Sequence, residues 1–421
     1  MRIRRFEWSD PPQVAASLRH WFEESASSVD VAPIAAAVRE RGDAALRELT
    51  ARWDATERAA EQIRVSSGEA DRALAALDPG LRAAMEVACA NIRAVAEAQL
   101  RTEPTTVELP QGQRVVLRDV FVRSAGIYVP GGRTAYPSSL LMGVIPASAA
   151  QVERIVVATP PGPDGTISPV TLAAFALSGA NELYAVGGAQ AIFALAYGTE
   201  SIEPVDVIAG PGNAWVQEAK RAVYGQVGID SIAGPSELMI IAGHDAEPEW
   251  AALDLCAQAE HGPESPLVVT AVEESVLEAI ARAAEALSAE RPSVHDAPLA
   301  LVQVPDTMHA IGLATVFAPE HLQVMSEDAA RMVGDVRTAG CVFVGRMAAT
   351  AFGDYAAGSN HVLPTGGAGR FSGPLGPGTF RRQVANVSLP SSAAATLAPH
   401  VDALARAEGF PVHGESARAR A

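Results

Sequence analysis

The chain has 421 residues, of which 48% are hydrophobic and 19% charged, and a net charge of −17. That length and balance predict two or three packed domains and exclude general disorder, while the acidic surplus argues against a nucleic-acid partner, which would want a basic stripe. The longest apolar stretch, near Leu140 to Ala150, is broken by Pro146 and too short to cross a bilayer, and the opening "MRIRRFEWSD" has no apolar signal core, so a cytoplasmic protein with no membrane partner is expected.

The first hundred residues read as helical, ending in a long amphipathic stretch from about Ala70 to Gln99. A polar hairpin-like piece, "ELPQGQRVVLRDV", leads into "SAGIYVPGGRTAYPSS". Strand and helix patterns then alternate: "RIVVATP", "ELYAVGG" and "PVDVIAG" as strands, with "SPVTLAAFALSGA", "AQAIFALAYG" and "NAWVQEAKRAVYG" as the helices after each. A second series follows, in which "ELMIIAG", "SPLVVTAV", "LALVQV", "TVFA" and "GCVFVG" read as strands. Its helices are "EWAALDLCAQAEH" and a run through "LEAIARAAEAL". Such alternation is the mark of parallel sheets covered by helices, and two units of similar size suggest an internal duplication. After Val362 the Gly/Pro-rich "LPTGGAGRFSGPLGPGTF" is a loop or linker, and a helical tail runs from about Ser391 to Ala421.

No GxGxxG dinucleotide fingerprint follows a strand. Glycines do stand at three predicted strand ends, in "VPGG" (Gly131, Gly132), "VGGAQA" (Gly187, Gly188) and "AGPGNAW" (Gly210, Gly212). Each has a polar companion: Tyr128, Gln190 and Asn213. Three unrelated turns would produce the same glycines, but a shared crevice beyond the carboxyl ends of parallel strands accounts for the companions as well.

In "AQAEHGPES", residues three apart share a helix face, so Gln258 and His261 point the same way. A polar helix end explains the pair equally well locally. Asp354, in "FGDYAAGSNHVLPTGG", and His413, in "EGFPVHGES", would complete an oxygen and nitrogen ligand set suited to zinc, although spacing alone does not bring them together. "PEHL" sets Glu320 beside His321; this is either a surface pair opening a helix or a catalytic pair beyond a strand end. Cys256 lies about 200° around its helix from Gln258 and reads as structural, not nucleophilic. With Cys89 and Cys341 it makes up the cysteines, and no CxxC occurs. Lys220, the only lysine, reads as a helix-surface residue, which disfavours Schiff-base chemistry.

Together these segments resemble the histidinol dehydrogenase family. The motifs are long: "GIYVPGGRTAYPSSLLM", "VGGAQAIFALAYGT", "AGPGNAWVQEAKR", "GQVGIDSIAGPSE", "AQAEHGPES", "APEHL" and "GDYAAGSNHVLPTGGAGRFSGPL". The resemblance implies oxidation of L-histidinol through histidinal to L-histidine with two NAD and one zinc. Zinc would be held by Gln258, His261, Asp354 and His413. Substrate would touch Ser236, His321 and Glu408 as well as the metal ligands, with His361 a second-rank candidate. NAD would lie against Tyr128, Gln190 and Asn213, and Glu320 with His321 would form the acid–base pair.

The fold implied is α/β, with two similar incomplete Rossmann-like αβ domains and small terminal helical segments in an interlocked homodimer. One domain, residues 24–127 with 236–376, would carry zinc and the catalytic pair, and a second, 128–235, would bind NAD. Residues 1–23 would form an N-terminal helical segment, and 377–421 a C-terminal helical tail that contributes to the partner's active site. The stretch "MAATAF" departs from the proline–glutamate pair common in the family, and "VANVSLPSS" is less typical too. Neither touches a proposed ligand, but a paralogue oxidising another small polar alcohol remains the alternative. A zinc hydrolase with Glu320 as base would leave the three glycine-rich strand ends without a role.

Overall fold

The computed structural model describes residues 1–23, 29–54, 63–131, 134–294 and 296–421; Gly132 of the first glycine motif lies outside them. Two six-stranded sheets dominate. The first runs Arg64–Val65, Glu182–Ala185, Arg154–Thr159, Ser124–Tyr128, Val207–Ala209, Gly228–Ile229 in spatial order. All its pairs are parallel except the outermost, Arg64–Val65 with Leu183–Tyr184. The second is wholly parallel, in the order Arg2–Phe6, Pro298–Gln303, Leu267–Ala271, Leu238–Ala242, His321–Met325, Cys341–Val344.

The inner strands are short, apolar and rich in β-branched residues, as sheets covered on both faces require. Ile155, Val157 and Ile127 face one helical layer, with Leu140, Leu141 and Phe175. Val156 and Ile208 face the other, with Ile192, Phe193 and Leu46. The second sheet divides its side chains the same way between two further layers. Among the described residues no helix is long and apolar enough to cross a membrane.

The expected division of the chain differs from the packing at its start. Residues 1–23 are not only helical: Arg2–Phe6 adds a strand to the second sheet, and the helix Pro11–Glu23 packs on Thr307–Phe317. The described residues of 24–127, expected with 236–376, instead largely cover the first sheet. The helix Ala32–Arg41 lies on Gly188–Tyr197, and the helices Ser67–Ala76 and Pro79–Ala98 lie on Pro169–Ser178 and Pro137–Ala149. The reason is burial: Leu46, Ile34 and Val38 reach the core beneath that sheet, whereas Val14 and Leu18 reach the core beneath the other.

The hairpin expected near residue 110 is present, pairing Thr105–Glu108 with Arg114–Phe121. Its third strand, Arg381–Ser388, replaces the start of the expected helical tail. Beyond it the helices Ser391–Ala407 and Pro411–Arg418 pack on each other. Val387, Leu389, Leu404, Phe410 and Val412 on this arm are exposed.

Candidate active site

At the carboxyl edge of the first sheet, strand order reverses between Ser124–Tyr128 and Val207–Ala209, the position where open α/β sheets leave a crevice. Tyr128 ends the central strand, and its hydroxyl accepts a hydrogen bond from the Gly188 amide at 3.1 Å. Burial pushes the phenol up to about 12. Gln190, in the first turn of the next helix, is 1% exposed, and its Oε1 has no partner. Asn213 caps the helix Ala214–Val223 by accepting from the Trp215 and Val216 amides. Gly210 packs so closely that a Cβ would stand 2.0 Å from the Tyr128 carbonyl oxygen. The three companions of the glycine turns thus line one edge.

Lys220 corrects the expectation of a surface lysine. It is 1% exposed, donates to the Gly210 carbonyl at 3.0 Å and pairs with buried Asp230. Asp230 in turn accepts from the Gly210 amide at 2.8 Å. The ion pair fastens both polar groups of the strand-end glycine, and the signal for it, a lysine in a helix of high amphipathicity, looked like a solvated face.

The second constellation lies at the amino edge of the second sheet. "TVFA" is not a strand: it ends the helix Thr307–Phe317, and His321 instead opens the strand His321–Met325. The Glu320–His321 pair therefore neither opens a helix nor follows a strand. Strand register puts His321 opposite Leu238, directly after Ser236 and Glu237.

A chain of short hydrogen bonds joins these elements. The Gln258 amide nitrogen donates to Ser236 Oγ at 2.5 Å, and Ser236 donates to Glu320 Oε2 at 2.5 Å. The Glu237 amide donates to the same carboxylate oxygen at 2.7 Å. Gln258 is 1% exposed with its Oε1 unpartnered.

His321 is 2% exposed. Its Nδ1 lies 3.0 Å from the Glu237 carbonyl, which can only accept, so the ring proton sits there. Nε2 is left buried without a hydrogen-bond partner, 3.6 Å from Asp354 Oδ1. Burial lowers the imidazole's pKa, but the Glu320 and Asp354 carboxylates outweigh it and hold it well above the ordinary histidine value. Burial likewise opposes ionisation of Asp354, and the imidazole overcomes it, so that carboxyl lies below its usual range.

The ligand set expected for zinc is brought together in part. Gln258 ends the helix Pro248–Ala259 and His261 follows one turn on; the charges of His261 and His361 both act on Asp354. Asp354 lies in the short helix Thr350–Tyr355. His413 and Glu408 stand exposed on the terminal arm. Among the described residues no three His, Cys, Asp or Glu side chains form a metal cluster on their own. His361 bridges the two units: Nδ1 donates to the Asp354 carbonyl at 2.9 Å, and Nε2 lies 3.3 Å from Ser139 Oγ. Burial lowers its pKa.

Several participants carried no local signal. Arg19 forms a two-pronged ion pair with Glu237, and the Gly366 amide donates to the same side chain at 3.0 Å. Burial raises the Glu237 carboxyl even against Arg19. Cys341, not Cys256, is the cysteine beside His321, being its register partner; burial pushes its thiol up, as it does for Cys256.

The sequence profile of the histidinol dehydrogenase family matches residues 19–421. The chain belongs to the histidinol dehydrogenase family. It is 43% identical over 397 residues to a histidinol dehydrogenase of a Synechococcus species, covering 93% of this chain and 91% of that one. A second, from Rhodospirillum rubrum, is 43% identical over 408 residues, covering 94% and 93%. A solved histidinol dehydrogenase from Elizabethkingia anophelis superposes with a TM-score of 0.91 at 30% identity, covering 100% of this chain and 98% of that one.

Proposed function

We propose that the chain oxidises L-histidinol through L-histidinal to L-histidine with two NAD and one zinc, as a homodimer whose active sites are shared, in the cytoplasm. The observation that carries this is the linked set at the amino edge of the second sheet: Gln258, Ser236, Glu320 and His321, with Asp354 beside the imidazole.

The donor set fits a metal. Gln258 spends its amide nitrogen on Ser236, so the buried oxygen left over is a ligand atom without a partner. Asp354 and His261 supply a carboxylate and an imidazole, and His413 would complete the set. When bound, zinc supplies a template and a Lewis acid, and NAD, against Tyr128, Gln190 and Asn213, supplies the hydride acceptor.

With Asp354 engaged by the metal, its carboxylate would no longer hold a proton on His321, and the neutral imidazole would take the hydroxyl proton at Nε2, because Nδ1 is committed to the Glu237 carbonyl. Glu320, held at Oε2 by Ser236 and the Glu237 amide, takes a proton from the water that adds to the aldehyde. His321 then serves the resulting hydrate as it served the alcohol. Ser236, His261, Glu408 and His413 would hold the substrate's polar groups, and no thiol enters either half-reaction. The same framework serving another polar alcohol is the competing reading; it keeps every residue role except those that bind the imidazole ring.

His413 and Glu408 sit on an arm whose apolar residues are uncovered, which supports donation of both to a partner's site. His413→Ala and His321→Ala should each be nearly inactive as homodimers. Refolded together, they should recover roughly a quarter of wild-type activity, since half the dimers in a 1:2:1 mixture have one intact site. No recovery in verified heterodimers would place the whole site within one chain.

A further inference from the structure

We infer that Asp54 receives the ribose hydroxyls of NAD and is the residue that excludes the 2′-phosphorylated cofactor. The inference rests on the reading of the first sheet's carboxyl edge as the NAD crevice.

Asp54 is the C-cap of the helix Asp43–Trp53, far in sequence from the glycine turns. Packing brings the end of that helix to the same edge. Trp53 packs against Trp215 with ring centroids 6.1 Å apart and the planes tilted by 44°, and Trp215 is the second residue of the helix capped by Asn213. On the other side Asp54 is near enough to Tyr128 for its charge to help raise that phenol. Asp54 thus stands near Tyr128 and directly after one member of an indole pair that reaches the helix capped by Asn213 and keeps 46% and 41% of its surface exposed.

Asp54 Oδ2 is buried and has no hydrogen-bond partner. Burial pushes the carboxyl up to about 6, so at neutral pH it carries a poorly solvated charge. Such a group destabilises the free protein unless donors arrive. An ionised carboxylate only accepts, so its complement is a donor group, and a vicinal diol offers two hydroxyls in one place. A phosphate there would meet like charge in a partly desolvated setting. Open α/β folds that bind dinucleotides use an acidic residue for the ribose in the same chemical sense; here it comes from a helix that precedes the first strand of the motif.

The test uses the full-length enzyme with Asp54→Asn and Asp54→Ala, measuring kcat/KM for NAD and NADP, calorimetric NAD binding and thermal unfolding. The preference for NAD over NADP should fall by about tenfold to a hundredfold, the usual range for a hydrogen bond to a charged group. The change should lie mainly in the KM for NAD. At pH 7 to 8 the Asn variant should melt no lower than wild type, because an uncompensated charge has gone; below about pH 4 that advantage should vanish as the wild-type carboxyl protonates. An unchanged cofactor preference in folded variants would overturn the inference, as would an equal loss for both cofactors accompanied by lower stability. If Gln190→Ala and Asn213→Ala leave NAD binding intact, the crevice assignment itself fails. If they weaken it while Asp54 variants keep the wild-type preference, only the role of Asp54 fails.

Discussion

Lys220→Met removes one charge from a pair whose side chains are 1% and 4% exposed. Methionine fills most of the space, so the main cost is Asp230 left ionised in the interior, with the bond to the Gly210 carbonyl lost as well. Removing one partner of a buried pair typically costs about 3–5 kcal/mol. At about 2–4 °C per kcal/mol for a unit of roughly 200 residues, the melting temperature should fall by roughly 6–20 °C. Lys220→Met with Asp230→Asn removes both charges, and the Asn oxygen can still accept from the Gly210 amide. Most of the loss should return, as a coupling between the two sites. Scanning calorimetry reads the stability, and NAD titration reads the glycine turn: the single variant should show a raised KM for NAD with kcat less affected. A single variant within about 1 kcal/mol of wild type, or a double variant no better than the single, would refute the claim that this pair holds the turn.

Glu320→Gln should damage oxidation of supplied histidinal more than oxidation of histidinol to the aldehyde, whereas His321→Asn should damage both, each by about 10²–10⁴-fold; equal losses in both halves for Glu320→Gln would contradict its role toward water. Chelation should abolish turnover and added Zn²⁺ restore it, with elemental analysis as the check, and full activity in metal-free protein would remove zinc from the account.

The alternating strands and helices from Ser124 onward were legible because buried parallel strands are continuous apolar runs between glycine turns. Arg2–Phe6 was not, since "RIRRF" is an edge strand with three arginines and no apolar face to read. "TVFA" misled for the opposite reason: a β-branched run can end a buried helix, and Ala318 then turns the chain in a left-handed conformation, φ 51°, before the strand begins. The placement of 24–127 was hidden because amphipathic helices state that they need a partner but not which one. At the site, residues inside long motifs were visible, whereas Arg19, Asp54 and the burial of Lys220 depend on contacts between distant segments. Even Glu320 and His321, visible as a pair, occupy the amino edge of their sheet, where general rules for open α/β folds do not look.

The central claim is a four-electron oxidation at one site, and the yield of NADH per L-histidinol consumed tests it most directly. With limiting L-histidinol and excess NAD, the account predicts two NADH per substrate, with L-histidine as the product by chromatography. One NADH per substrate, with aldehyde accumulating, would contradict it.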